Sequence, residues 1–406
     1  MSETTPHFPV GTYSVSIPAI TGIRPDLLKN IAPIVQKSIA EGNYPGAVIL
    51  AGHRGRIIYK GVFGNRRILP TTAPMRFDTI FDIASLTKVV ATTPAIMQLV
   101  EQGKLDLDAT VSTYWPEFSG HDKEMVTVRE LLTHTSGLPA AIEGVNNQAE
   151  ALQQIKQLHL KYPAGTRFFY SDVNFIILAY LVEILSGEPF DQYVQQHIFS
   201  LLKMNHTQFL PPANLQDRIA PTEIINNELR WGTVHDPIAF SIGGISGNAG
   251  LFSNASDLSL YAQCLLNGGR LPANQDKKAA PDFLLGPLTI LKMMTPQTPT
   301  DLFDKRGLGW DIDSVYSNRG ILFPIDSYGH TGWTGTSLWI DPVTQTWLII
   351  LTSRAHPTPA NNKQHIQDRR KIANIIAGSL TDITVNNKNN TNQGELKRAY
   401  ANENNK

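Results

Sequence analysis

The order of elements along the 406-residue chain predicts an α+β fold, an antiparallel sheet flanked by helices and interrupted by a large, mostly helical domain. Three observations carry that reading. Two short β-rich runs, GAVILAG and GRIIYKGVFG, lie near the N-terminus; helical patterning dominates from about residue 110 to 285; strand-like runs return only afterwards. The simplest architecture joins the early and late strands in one sheet, and a groove between sheet and helical units is a natural place for a site. The implied organisation is an N-terminal extension (1–23), a discontinuous sheet domain (24–110 plus 286–380), a helical inserted domain (111–285) and a tail (381–406).

Each element has a local cause. Pro25 suits a first helical position, and DLLKNIAPIVQKSIAEG then reads as an amphipathic helix stopping at Gly42. His53, Arg54 and Gly55 separate the two β-rich runs, which reads as a hairpin. A long helix is predicted from about Ser85 to Glu101, with Gly103 just past its end. The central block carries VTVRELLTH, AEALQQIKQLHL, DVNFIILAYLVEILSG, FDQYVQQHIF and ASDLSLYAQCLLNGG. After PLTILKMM come the strand-like GLGWDID, SYGHTG, TSLWIDP and TWLIILTS, then a helix over roughly 363–378. No internal repeat is present, and the Asn-rich polar end is predicted to be disordered from about residue 381.

Composition excludes several functions. Formal charge balances at 35 basic against 35 acidic residues without long basic runs, which argues against nucleic acid or an anionic membrane as partner. One cysteine, Cys264, permits no intramolecular disulfide and reads as a buried thiol in a helix. The run FIILAYLVEIL is too short to span a membrane and contains Glu183. The N-terminus shows no signal peptide, so the chain as it stands points to the cytoplasm, or to the periplasm or exterior if a signal has been trimmed.

The chemistry starts at Ser85-Leu86-Thr87-Lys88. Residues i and i+3 share a helical face, so Lys88 can reach Ser85, and a helix start favours developing negative charge. Roughly one or two chance S-x-x-K matches are expected in a chain this long, and Ser200-Leu201-Leu202-Lys203, at a predicted helix end, reads as that chance match. Tyr170, in GTRFFYSDVNF, lies at a loop-to-helix junction, where Ser171 or Asp172 could also serve as an N-cap. His330 opens the Thr-Gly-rich edge YGHTGWTG, along which a substrate backbone could lie as an added strand.

Taken in order, S-x-x-K, Tyr-Ser-Asp and His-Thr-Gly resemble the signature of the class C β-lactamase and penicillin-binding-protein-related serine hydrolases. VTVRELLTHTSGLP, GNAGLFSNASDLSLYAQCLLNGG and GLGWDID are also similar to strings in that family, and the resemblance covers roughly residues 24–380. It implies a β-lactamase/transpeptidase-like fold and an acyl-enzyme on Ser85, with Lys88 and Tyr170 sharing the proton. The division between those two stays open. It also implies oxyanion donors from the backbone N–H groups of Ser85 and Trp333, with Asp172, His330, Thr331, Gly332 and Trp333 against the substrate. No metal or organic cofactor is implied; the partner is a small molecule or short peptide. For Lys88 or Tyr170 to act as a base near neutral pH, its pKa must be lowered by burial or positive neighbours.

Two departures shape the activity expected. Where β-lactamases carry a lysine, a fixed charge for an antibiotic's carboxylate, this chain has His330, with a reference pKa near 6.5. Where relatives carry Asn, it has Asp172, which when ionised only accepts hydrogen bonds and, facing the site, should hold Lys88 protonated. These favour a peptidase of D-alanyl-D-alanine carboxypeptidase or D-aminopeptidase type, or an esterase; a class C-like β-lactamase and a non-catalytic peptide sensor are the alternatives. If His330 pairs with a substrate carboxylate, turnover of such substrates should improve toward pH 6. Among rival readings, His235-Asp236 lacks a G-x-S-x-G elbow and reads as a turn before Pro237. His134 reads as a loop anchor, no zinc spacing is present, and GGISGNAG reads as a tight loop bordering the cleft.

Overall fold

The computed structural model describes residues 13–272, 282–359 and 362–383. Eight strands form the main sheet: β1 (Ser14–Ser16), β2 (Gly46–His53), β3 (Arg56–Arg67), β4 (Lys305–Arg306), β5 (Asp311–Asp313), β6 (Tyr328–Thr331), β7 (Thr336–Asp341) and β8 (Thr346–Thr352). Their order is β1–β3–β2–β8–β7–β6–β5–β4, and Ala73–Pro74 adds a ninth strand against the end of β3. Every pairing is antiparallel, and early strands meet late ones at the β2–β8 seam, where Ile49 faces Ile350. The fold is therefore a β-lactamase/transpeptidase-like mixture of helices and antiparallel sheet.

The two-residue period of a strand explains why β2 and β8 read as unbroken apolar runs. Val48 and Leu50 of β2 enter the larger core, while Ala47, Ile49 and Ala51 enter the smaller one. In β8, Ile349 and Leu351 face the larger core and Leu348 and Ile350 the smaller. The smaller core is closed by α1 (Pro25–Leu28), α2 (Ile31–Ala40) and the C-terminal α6 (Asn362–Ser379), through Leu28, Ile31, Val35, Ile372 and Ile376. The larger core runs from the sheet through α3 (Thr93–Glu101), α4 (Asp172–Ser186) and α5 (Ala255–Leu266).

The structure redraws several sequence-based boundaries. The helix expected from Pro25 to Gly42 breaks between α1 and α2, because Pro33 has no N–H to give the Lys29 carbonyl. His53 belongs to β2, so only Arg54 and Gly55 turn, both at positive φ as a two-residue hairpin requires. Residues 14–16, expected in an extension, form the edge strand β1. Helix α5, expected inside the helical insertion, packs against β8 and β2. Asp382 is still anchored, with its carboxylate 2.9 Å from His53 Nε2; the predicted tail from 384 onward lies outside the described residues. FIILAYLVEIL lies in α4, buried as far as Val182 apart from half-buried Tyr180, and among the described residues no single helix is long and apolar enough to cross a membrane.

Candidate active site

Ser85 does not begin a regular α-helix. Phe81–Asp82 pairs with Phe252–Ser253, Ile83 N–H donates to the Leu251 carbonyl at 3.0 Å, and Ala84 then takes a left-handed φ of 48°. Such a conformation costs an alanine about 1–2 kcal/mol and persists only where its surroundings enforce it. Here the Asp82 carboxylate accepts the Ala84 N–H at 2.8 Å, and Thr87 Oγ1 donates to the Ala84 carbonyl at 2.6 Å. The chain continues through a π-helical segment, Lys88–Thr92, into α3, so the predicted helix is present but starts beyond the serine.

Lys88 is fully buried, and all three of its N–H bonds are used. Nζ donates to Ser85 Oγ at 3.0 Å, to Asp172 Oδ1 at 2.6 Å and to the Asn248 carbonyl at 2.8 Å. Burial pulls the ammonium down, but Asp172 and Tyr170 more than offset it, and the net shift is upward. The neighbour is an anion and favours the charged form, as expected of an ionised Asp172 that faces the site; the lowered pKa that a lysine base near neutral pH would need is not what these surroundings produce. Tyr170 lies beside Lys88, its ring centre 5.1 Å from Nζ, and lines the same cavity as Ser85. Burial pushes its phenol up, more than the Lys88 charge pulls it down. Asp172 is the first residue of α4, but its side chain caps nothing and turns to Lys88; the Ser171 hydroxyl goes to the Pro139 carbonyl at 2.6 Å.

The sequence GGISGNAG supplies more than a border. Gly247 packs so closely on α4 that a Cβ would lie 2.0 Å from the Phe175 carbonyl oxygen, and the next residue, Asn248, presents the carbonyl that Lys88 uses. Gly247→Ala is therefore expected to destabilise the fold by roughly 1–3 kcal/mol, measured by denaturant titration, and to lower activity by loosening Lys88.

His330 and Thr331 lie on β6, next to β7 on one side. On the other side β5 pairs with β6 at a single position, Asp311 with Gly329, so the edge from His330 onward is left open toward the cavity. Gly332 is required by proximity: a Cβ would lie 2.4 Å from the Ile83 carbonyl oxygen. Thr336 Oγ1 bonds that same carbonyl at 2.9 Å, tying the strand to the nucleophile turn. The N–H groups of Ser85 and Trp333 meet no acceptor among the described residues. His330 Nδ1 donates to the Thr331 carbonyl at 2.9 Å, so in the neutral ring Nε2 is an acceptor, and it has no partner among the described residues. Burial, then the charges of Arg306 and Lys88, hold the His330 pKa well below its ordinary value. With the ring neutral in this way, no gain in turnover of carboxylate substrates is expected on going down to pH 6.

One cavity of about 580 Å³ brings together Ser85, Tyr170, Asp172, His330, Thr331, Gly332 and Trp333, with Lys88 beneath its floor. Ser200 and Lys203 line no part of it; the Ser200 hydroxyl meets Gln195 Nε2 at 3.4 Å. His235 and Asp236 do line it, but not as part of a triad: His235 Nε2 meets Glu223 at 2.7 Å, and Asp236 caps the helix Pro237–Ser241. His134 ends the helix Val128–Thr133, accepts the Ser171 N–H at 3.1 Å and stacks on Tyr170 at 4.3 Å, so it anchors as expected. Cys264 is buried, which pushes its thiol up to about 12. Sequence reasoning missed Asp82, Asn248, Arg306 and Arg354. All four act through backbone contacts that no spacing announces.

A serine and a buried lysine beneath an open strand edge, on this fold, define a serine hydrolase of the β-lactamase and penicillin-binding-protein type. The Beta-lactamase family model matches residues 31–371, and the chain belongs to that family. A putative D-alanyl-D-alanine carboxypeptidase of Salmonella agona is 31% identical, over 88% of this chain and 91% of that protein. An N-acetylmuramyl-L-alanine amidase of Bacillus subtilis is 32% identical, over 81% of each chain. The crystal structure of a penicillin-binding protein homologue from Caulobacter crescentus superposes with a TM-score of 0.69 at 19% identity, covering 90% of this chain and all of that one.

Proposed function

We propose that the protein is a peptidase of D-alanyl-D-alanine carboxypeptidase or D-aminopeptidase type, acting on short peptides through an acyl-enzyme on Ser85. The observation that carries this reading is the open β6 edge beside Ser85, which suits an extended peptide backbone. A neutral His330 in place of a fixed cation lowers the weight of a β-lactamase reading. The names of the carboxypeptidase and amidase relatives support amide hydrolysis of this kind.

Ser85 Oγ attacks the carbonyl carbon, and the N–H groups of Ser85 and Trp333 receive the oxyanion. The serine proton goes to the Tyr170–Lys88 pair. Lys88 as an ammonium has no lone pair, and Tyr170 as a phenol is no base, so the pair works after losing one proton. That proton deficit is restored when Ser85 is deprotonated, and the pair then protonates the leaving amine. Water attacks the ester by the same route in reverse. Because both Lys88 and Tyr170 are shifted upward, kcat/KM should climb through neutral pH into the alkaline range.

Mapping of a fluorophosphonate adduct, with p-nitrophenyl acetate turnover and release of D-alanine from an acylated D-Ala-D-Ala peptide, tests the reading. An adduct on Ser85 with D-alanine released would establish it. Ester turnover without peptide cleavage would move the assignment to an esterase, and labelling without product release to a peptide sensor.

A further inference from the structure

The two N–H groups assigned to the oxyanion come from distant parts of the chain, Ser85 and Trp333, yet one unbroken line of contacts joins them. On the serine side, Asp82 is buried and its two carboxylate oxygens are divided: Oδ1 accepts the Ala84 N–H at 2.8 Å and Oδ2 the His235 N–H at 2.7 Å. The His235 ring, held by Glu223 at 2.7 Å, stacks on the Trp333 indole with centroids 4.3 Å apart and planes within 15°. Arg354 approaches the same indole as well, with its guanidinium carbon 4.5 Å from the ring centre. Arg354 also grips the Trp333 carbonyl through Nε at 3.2 Å and Nη2 at 2.5 Å. Thr334 Oγ1 closes the circuit by donating to the Asp82 carbonyl at 2.7 Å.

Trp333 needs such a clamp. It follows the last residue of β6 by two positions, its side chain is 48% exposed, and no strand pairing holds it. Left alone, an exposed post-strand residue would not hold an N–H within the few tenths of an ångström that an oxyanion demands.

We propose that Asp82 and Arg354 are positioning residues that hold the two oxyanion donors at a fixed separation, with His235 and the Trp333 indole as the link between them. The inference rests on the reading of Ser85 as nucleophile and Trp333 N–H as the second donor. Residue types fit the role. Two N–H groups arriving from two segments need two acceptors, which a carboxylate has and an asparagine does not. A planar guanidinium can fork onto a carbonyl while lying against an indole; a lysine cannot do both.

The test compares Asp82→Asn, Arg354→Lys, His235→Ala and His235→Phe with the unaltered protein. The readouts are p-nitrophenyl acetate kinetics and inhibition by phenylboronic acid, whose adduct on Ser85 places an oxygen where the oxyanion forms. Losing one oxyanion donor costs about 10²–10³-fold in kcat, and misplacing one should approach that. Asp82→Asn and Arg354→Lys should each lower kcat by about 10–100-fold, leave KM within about threefold, and weaken phenylboronic acid by a factor matching the loss in kcat. His235→Ala should behave likewise, and His235→Phe, which keeps a stacking ring and the backbone N–H, should recover most of the boronate affinity. A fall in activity with boronate affinity unchanged, or no recovery in His235→Phe, would overturn the inference. Should Asp82→Asn not fold, the Arg354 and His235 variants decide it. No fluorophosphonate adduct on Ser85 in the unaltered protein would overturn this inference together with the proposed function. An adduct there with unaltered boronate affinity in folded variants would overturn this inference alone.

Discussion

Lys88→Met is expected to lower turnover by roughly 10²–10⁴-fold, the range over which a positioned proton-transfer group contributes, while the protein stays folded. Methionine has a similar length and flexibility for the buried position, but it cannot donate to Ser85, Asp172 and the Asn248 carbonyl, which Lys88 reaches at 3.0, 2.6 and 2.8 Å. Tyr170→Phe should lose a comparable amount, because the tyrosine sits against Lys88 in the cavity that holds Ser85. The informative measurement is the double variant. If the pair carries the proton as a unit, Lys88→Met with Tyr170→Phe should be little worse than the poorer single variant, since groups acting together are grossly non-additive. Losses that multiply would show two independent roles and would remove the shared-proton mechanism. Steady-state p-nitrophenyl acetate kinetics and the rate of fluorophosphonate labelling give the numbers.

Asp172→Asn should move the pH–rate profile rather than abolish the rate. In the native site burial favours neutral Lys88, and the carboxylate 2.6 Å away overrides it, so the lysine pKa stands above its ordinary value. An asparagine retains the shape and removes the charge. Burial is then opposed by Tyr170 alone, the lysine pKa falls, and the proton is lost at lower pH. An opposite charge at this range is worth about 1–3 pKa units, so the rising limb of kcat/KM should shift toward acid by that order. The sign is the test: a shift toward alkali, or none, would mean that Asp172 does not govern the Lys88 proton. A stopped-rate profile from pH 5 to 10 on the native protein and the variant settles it, provided thermal melts show both folded throughout.

Much of the framework was readable because it rests on local rules. Alternation and apolar runs disclose β2 and β8, and TWLIILTS could hardly be anything but a strand covered on both faces. Helix α4 follows from an apolar run too long for a strand, and α6 from its periodicity. Errors fell where a single residue overrides a pattern. Pro33 splits the first helix, and Asp82 forces Ala84 into a left-handed turn that pushes the helix start past Ser85. The site divides in the same way. Side chains at short fixed spacings, Ser85 with Lys88, or in ordered motifs, Tyr170, Asp172 and His330, could be named in advance. Asn248 could not, because Lys88 uses its backbone carbonyl, and every residue has one.

By itself the sequence determined the longer strands and helices, the serine–lysine spacing and the family to which the chain belongs, since each is written in short-range patterns or in ordered motifs. Only the tertiary structure decided that Asp172 does face Lys88, and with it the charge state of that site. Lys88 and Asp172 are 84 positions apart, and only when both are carried into one cavity do burial and a 2.6 Å ion pair compete for the same proton. It likewise decided that His330 is neutral, through burial and the nearness of Arg306 and Lys88. A pKa is a property of surroundings, and surroundings are assembled by folding.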